Sequence, residues 1–321
     1  MKRISTLLGI AVFTLLSFPA LAQQWGYVTL IGRMNTNSVQ LLDTNNVAVK
    51  QWSNLSGNTG YSTYMTQGGE LWRTVVATGS SFNGGGICGR IQKVAWNGTI
   101  LFDYTVSDAN QVSHHDICPL PNGNVMLIVY ERKTAAQVQA AGATVNQERW
   151  TEKIIELKPT GLNTATIVWQ WNLWDHLVQN LYPAKANYQS SILQHPELLN
   201  INYNNTGNRK DWVHMNGIDY NAALDQIVVS SHFLNEMWVI DHSTTTAEAA
   251  THSGGNSGKG GDFLYRWGNP AAYGAAGSTN FNVIHDAHWV PEECPQTGWL
   301  GRFNNFEVSN SISTIDLFQP P

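Results

Sequence analysis

The chain has 321 residues and a formal charge of −5, and only 13% of its residues are charged. That length allows one large repeat domain or two ordinary ones. An acidic balance without a basic run excludes a polyanion such as nucleic acid as the partner.

In chain order, residues 1–22 read first, as a secretory leader. Lys2 and Arg3 give a positive start, an apolar stretch runs from 7 to 16, and Ala20-Leu21-Ala22 offers a small-residue cleavage site before Gln23. The apolar stretch is too short for a spanning helix, and no later one is long enough. The remaining 23–321 are expected to form a soluble, exported domain, periplasmic or secreted, with no membrane span. Without Lys2 and Arg3 the charge becomes −7, two positive residues fewer than −5. Cys88, Cys118 and Cys294 make an odd count, so one disulfide plus a free thiol is open in an oxidising compartment, with the pairing undetermined. No CxxC spacing points to zinc or redox chemistry.

Short strands follow in a repeating order. Strands are expected at 26–31, 38–43 and 47–52. A set of four comes next, at 61–66, 70–75, 90–95 and 99–104, with turns at Gly68-Gly69 and Asn97-Gly98. The clearest unit starts at His114: a strand at 114–120, a tight turn at Pro121-Asn122-Gly123, then strands at 124–131, 152–158 and 166–171. A turn at Pro159-Thr160-Gly161 joins the last two. The next set lies at 214–220, 226–231, 237–241 and 263–267, and the chain closes with 284–290, 299–304 and 314–318. Labelling each set A to D, the D strands carry large aromatics at Trp52, Phe102, Trp169, Trp171 and Trp267.

Recurring antiparallel units of four with an aromatic in each predict an all-β fold, a β-propeller of four-stranded blades. A β-sandwich competes, because it also uses short strands and frequent turns. The count reaches eighteen strands and stops at a C strand, so the propeller is expected to be incomplete, a C-terminally truncated piece. Three longer connections, 134–147 (helical), 174–205 and 243–259, are expected to cap one face of the ring.

Histidines recur near the start of three A strands: His114-His115-Asp116-Ile117, His214-Met215-Asn216-Gly217 and His285-Asp286-Ala287-His288-Trp289. A strands line the channel of a propeller, so His115, His214 and His285 are expected at one mouth of it. His114, Asp116 and His288 lie beside them, placed to orient the imidazoles. Metal binding with help from Asp116 or Asp286, or covalent catalysis by imidazole, both fit such a cluster, and spacing does not choose between them. His176 and His195, in a long connection, are assigned structural roles. Gly84-Gly85-Gly86 lacks the following helix and Lys-Ser/Thr of a phosphate loop.

Several motifs together resemble the bacterial arylsulfate sulfotransferases. They are His114-His115-Asp116-Ile117 with Leu120-Pro121-Asn122-Gly123-Asn124, and Asp211-Trp212-Val213-His214-Met215-Asn216 running to Ser230-Ser231. Trp238-Val239-Ile240-Asp241-His242-Ser243-Thr244-Thr245, Tyr265-Arg266-Trp267-Gly268-Asn269-Pro270 and His285-Asp286-Ala287-His288-Trp289-Val290-Pro291 complete the set. The resemblance spans the chain after the leader and implies a six-bladed propeller. It also implies transfer of a sulfuryl group from a phenolic sulfate ester to a phenol, without a nucleotide sulfate donor, cofactor or metal. The expected partners are thus a small aryl sulfate and a phenolic acceptor; no oligomeric state follows.

By motif, His285 matches the family's transiently sulfated nucleophile, and His115 and His214 match the supporting histidines. His114, His288 and His232 are the expected substrate-binding neighbours. His232 stands where the best-known members carry an arginine, after Ser230-Ser231; Arg73, Arg90, Arg266 and Arg302 are the alternative sources of positive charge. A non-catalytic propeller that binds a ligand or a protein is the second reading, and a metal-dependent hydrolase the third.

Overall fold

The fold is described from a computed structural model, for residues 28–205, 209–306 and 312–320. The leader at 1–22, the start of the strand expected at 26–31 and Pro321 lie outside the described residues. Five antiparallel sheets follow one another along the chain. The first holds β1 (Thr29–Gly32), β2 (Val39–Leu42) and β3 (Ala48–Trp52). The second holds β4 (Thr59–Met65), β5 (Leu71–Val76), β6 (Gly89–Val94) and β7 (Ile100–Thr105). The third holds β8 (Gln111–Pro119), β9 (Val125–Lys133), β10 (Arg149–Gly161) and β11 (Thr164–Asn172). A short parallel pair, β12 (Leu177–Val178) with β13 (Leu199–Asn200), sits in the following connection. The fourth sheet holds β14 (Met215–Asn221), β15 (Gln226–Ser231), β16 (Glu236–Asp241) and β17 (Tyr265–Trp267), and the fifth β18 (Ile284–Trp289), β19 (Leu300–Asn304) and β20 (Thr314–Phe318).

Within every sheet the strands are neighbours in chain order, and β4, β8, β14 and β18 contact one another in succession. Among the described residues this is a β-propeller arrangement with five blades. Six were expected from the resemblance; among the described residues the first and last blades have three strands each, and no strand of one pairs with the other.

Apolar side chains fill the spaces between successive sheets, because each sheet packs face to face on the next. Trp72, Phe102, Ile117 and Leu127 pack between the second and third blades. Trp169, Trp171, Trp212, Trp238 and Phe263 pack between the third and fourth. The D-strand aromatics Trp52, Phe102, Trp169 and Trp171 are buried, whereas Trp267 is 41% exposed and lies beside Phe318. Its strand is only three residues long and begins at Tyr265 instead of 263. The expected turn at 159–161 is strand. Pro159, which has no N–H to give the ladder, falls at a bulge between Pro159 and Gly161, and the hairpin closes at Gly161 and Thr164. In the connection at 134–147, α1 (Ala135–Ala140) is held by a capping box between Thr134 and Gln137. All three cysteines are free, Cys88 and Cys118 buried and Cys294 exposed, so the open disulfide does not form. Among the described residues no helix is long and apolar enough to cross a membrane.

Two carboxylates, Asp116 buried and Asp219 half-buried, tie the blades together. Asp116 on β8 accepts the N–H of Ile117 at 2.8 Å, the N–H of Ile218 on β14 at 3.1 Å and the Tyr64 hydroxyl from β4 at 2.7 Å. Asp219 on β14 repeats the pattern: it accepts Tyr220 N–H at 2.8 Å and Trp289 N–H on β18 at 2.8 Å. Gly217 lets β14 and β18 approach, since a Cβ there would stand 2.7 Å from the Ala287 nitrogen. Burial pushes the Asp116 carboxyl up to about 7, and its hydrogen bonds only partly oppose this. Replacing Asp219 by Ala orphans two N–H groups and is expected to cost about 1–3 kcal/mol in urea unfolding. Asp219→Asn, which keeps one acceptor, should lose less; equal stability of all three proteins would refute the clamp.

Candidate active site

The A strands are irregular where they face the axis. Each of β4, β8, β14 and β18 shifts register against its neighbour, between Thr59 and Thr63, Ser113 and Ile117, Met215 and Gly217, and His285 and His288. His115, His214 and Asp286 adopt left-handed backbone, with φ of 49°, 56° and 57°. A bulge of this kind re-aims a side chain at the price of local strain.

The three histidines do not share one strand position. His115 is the fifth residue of a strand that starts at Gln111, not at 114, while His214 immediately precedes β14 and His285 is the second residue of β18. Taking the N–H groups held by Asp116 and Asp219 as marks, His214 stands four residues before Ile218 and His285 four before Trp289. Those two are equivalent; His115 reaches the same place from inside the wider bulge of β8.

They converge nonetheless. Ring centres are 4.5 Å apart for His115 and His214, 5.0 Å for His214 and His232, and 5.6 Å for His232 and His285. His115 and His285 line one cavity of about 440 Å³, with Tyr61, Tyr64, Asp116, Asn216 and Asp286. His114 lies behind His115, with Nδ1 to Nδ1 at 2.9 Å, and is fully buried against Tyr130 at 3.5 Å in parallel stacking. Of the expected substrate-binding neighbours, His114 is therefore behind the cavity wall and not in its lining. His288 is not part of the cluster: its Nδ1 lies 2.9 Å from the Asp286 carbonyl oxygen and its ring covers Gly301. The Asp286 carboxylate, 3.4 Å from the same nitrogen, raises its pKa, and the carbonyl contact adds to this against the effect of burial.

Supporting side chains fix most of these rings. His214 Nδ1 meets Asp211 Oδ2 at 2.5 Å, and the Tyr130 hydroxyl lies 3.0 Å from each of them. Ser231 donates to the Val213 carbonyl at 2.7 Å, and Ser230 to Asn216 Oδ1 at 2.6 Å, so the two serines position the strand around His214. Asn216 in turn donates to the Ile284 carbonyl at 2.7 Å, next to His285. The backbone of the glycine run closes the back wall. A Cβ at Gly86 (φ 71°) would stand 2.1 Å from the His115 ring, and one at Gly85 2.8 Å from His214. His285 Nδ1 is 3.2 Å from the Val283 carbonyl and 2.8 Å from Asn305 Nδ2, contacts that favour opposite tautomers.

Desolvation decides the charge state. Burial, then the charges of His114, His214, His285 and His232, hold His115 well below the ordinary imidazole range. Burial, then His214, does the same to His114 and lowers His232 to about 3. Burial also lowers His285, while the Val283 carbonyl partly opposes it. These four imidazoles are neutral at pH 7. His232 Nδ1 is buried without a hydrogen-bond partner among the described residues.

None of the four arginines considered as replacement cations serves the cluster. Arg73 binds Gln92 and Thr59, Arg90 pairs with Asp103, Arg266 with Glu236 and Arg302 with Asp316. Arg209, which sequence reasoning missed, is nearer. Its guanidinium lies 3.8 Å over Phe233, whose ring sits 4.8 Å from His214 and 4.5 Å from His232. Among the described residues, the three side chains whose ligand atoms all lie within 4.8 Å are His176, His252 and Asp262, and none lines the cavity. His176 bridges Asp262 at 2.8 Å and the Ala249 carbonyl at 2.8 Å, the structural part expected of it.

The sequence profile of the arylsulfotransferase (ASST) family matches residues 43–248, well over half of the chain. The chain belongs to the arylsulfotransferase family. The match takes in His114, His115, His214 and His232 and ends before His285 and His288. No curated protein matches the chain. Among solved structures it is similar to hydrazine synthase of Kuenenia stuttgartiensis, at 10% identity and a TM-score of 0.46, over 91% of this chain and 68% of that one. A protein of unknown function from Bacteroides caccae is similar at 9% identity and a TM-score of 0.42, over 90% and 72%. A β-propeller domain from Myceliophteria thermophila gives 9% identity and 0.41, over 90% and 67%.

Gly86→Ala should displace His115 and cost about 1–3 kcal/mol through strain and overpacking. Gly98→Ala supplies the control, since Gly98 also has positive φ (93°) but nothing within 4 Å of its Cβ position. Equal losses in thermal unfolding would show that the His115 contact has slack.

Proposed function

We propose that this arylsulfotransferase moves a sulfuryl group from an aryl sulfate to a phenol through a sulfated His285. The observation that carries the reading is one cavity walled by His115 and His285, with His285 neutral and therefore nucleophilic. In the first half-reaction the Nε2 lone pair of His285 attacks sulfur, forming N–S as the S–O(aryl) bond breaks. That step uses the tautomer whose Nδ1–H faces the Val283 carbonyl, and the same contact steadies the cationic ring once Nε2 is sulfated. In the second half-reaction a phenol oxygen attacks sulfur and His285 is released, so the kinetics are ping-pong. His115 acts as acid and then base at the aryl oxygen. His214 and His232 offer N–H donors to the sulfuryl oxygens, where charge develops. No nucleotide donor, cofactor or metal takes part. The leader at 1–22 supports export to the periplasm or beyond.

His285→Ala should abolish both turnover and the intermediate. Intact-mass measurement of enzyme quenched with donor alone should show one sulfuryl adduct on the peptide holding His285 in the wild type and none in the variant. His115→Ala and His214→Ala should slow turnover roughly 10- to 10⁴-fold. A fully active His285→Ala, or activity lost on chelation, sinks the proposal in favour of a metal-dependent route.

The pH profile is a separate check. A nucleophile must be neutral, and His285 titrates below 6.5, so protonation silences it only under more acidic conditions. Between pH 6.5 and 8, kcat/KM should vary by no more than about twofold on this account. An acid limb centred at or above 6.5 would mean that the nucleophile is an ordinary, solvated imidazole.

A further inference from the structure

Two ionisable groups behind the cavity have no task in the transfer as described. Glu152 on β10 and His114 on β8 are both wholly inaccessible to solvent. They are linked in a line: Glu152 Oε2 to His114 Nε2 at 2.9 Å, then His114 Nδ1 to His115 Nδ1 at 2.9 Å. His115 is the member of that line which reaches the cavity. We propose that Glu152, through His114, is the proton store of the transfer reaction, supplying His115 in the first half-reaction and being refilled in the second. The inference rests on the sulfuryl-transfer reading of the cavity.

The direction of the hydrogen bonds follows from where the proton rests. Burial, with Asp211 adding to it, raises Glu152 well above the ordinary carboxylate range, so its resting form is the acid. The acid O–H donates to His114 Nε2, His114 Nδ1–H donates to His115 Nδ1, and His115 is left with its proton on Nε2. When the S–O(aryl) bond breaks, His115 gives that Nε2 proton to the departing phenolate. Its Nδ1 takes the His114 proton, and His114 Nε2 takes the one from Glu152. The bonds balance: N–S is formed at His285, S–O is broken, a phenol leaves and Glu152 becomes a carboxylate. The acceptor phenol then returns a proton along the same line as its oxygen takes the sulfuryl group.

The surroundings suit a stored charge of this sort. Met215 N–H donates to Glu152 Oε1 at 2.8 Å, which supports the carboxylate while the enzyme is sulfated. Tyr130 covers the His114 face in parallel stacking at 3.5 Å, keeping the line dry. Met215 directly follows His214, so the store is fixed to the strand that begins right after another member of the cluster.

The decisive variant is Glu152→Gln, whose amide N–H still donates to His114 but has no proton to surrender. A proton store matters most when the leaving phenol is a poor one. For phenyl sulfate kcat/KM should fall roughly 100-fold, while for 4-nitrophenyl sulfate it should stay within about threefold of wild type. Equal losses with both donors would reduce Glu152 to a positioning residue and overturn the proposal. Nitrogen-15 spectra of histidine-labelled protein test the line without turnover: His115 should carry its proton on Nε2 in wild type and in Glu152→Gln. A proton on His115 Nδ1 overturns the relay even if transfer is seen. Absence of any sulfuryl adduct on wild-type enzyme counts instead against the transfer reading itself.

Discussion

Everything at the cavity depends on the carboxylates that hold one blade's A strand to the next. Each A strand is the inner edge of its blade, so some of its N–H groups face away from the ladder, and a buried N–H without a partner is costly. Asp116 and Asp219 receive those groups from β14 and β18, at Ile218 and Trp289. With the two strands pinned, the residues four positions earlier, His214 and His285, are fixed relative to each other. The left-handed turn at His115 then needs only the glycine run behind it to bring a third ring alongside. The clamps lie on the sheets, so the site inherits the rigidity of the blades and not of the connecting loops.

The blades themselves were legible because turn chemistry and alternation are local. Asn122-Gly123 and Asn97-Gly98 sit at hairpin turns, and the strands they join form as expected. Strand ends were less legible. Nothing local says that β8 begins at Gln111, since its pairing with Glu131 is decided by the neighbouring strand. Pro159 reads as a turn in isolation, yet a bulge in β10 absorbs it. The convergence of His115, His214 and His285 was visible through repetition, although His115 gets there by a different count. Non-glycine residues with positive φ leave no mark in a single sequence, so the bulges that re-aim them could not be read.

The supporting residues were hidden for another reason. A glutamate in a strand normally marks a solvated face, and Glu152 carries no local sign of being wholly buried. Tyr130 looks like one more apolar strand residue until its hydroxyl is placed between Asp211 and His214. Gly84-Gly85-Gly86 was rightly refused as a phosphate loop, but what it does instead, giving room to two imidazoles, depends on a chain segment some thirty residues on and another over a hundred. Only Asp211 was within reach, as the first residue of the Asp-Trp-x-His motif.

The electrostatics bear on why a histidine can stand at His232, where the family resemblance leads one to expect an arginine. A fixed guanidinium grips an anionic ester before and during reaction alike, and uniform binding of that kind does not speed the chemical step. Under the proposed transfer, a neutral His232 with an unpaired Nδ1 would hold the resting ester less tightly. As charge builds on the sulfuryl oxygens, a donor in a dry site grows stronger with it. Arg209, beyond the Phe233 ring, adds a positive potential that already helps to depress His232. On that reading an anion would meet oriented neutral dipoles first and a screened cation second. Under the proposed transfer, that order favours the transition state over the bound ester.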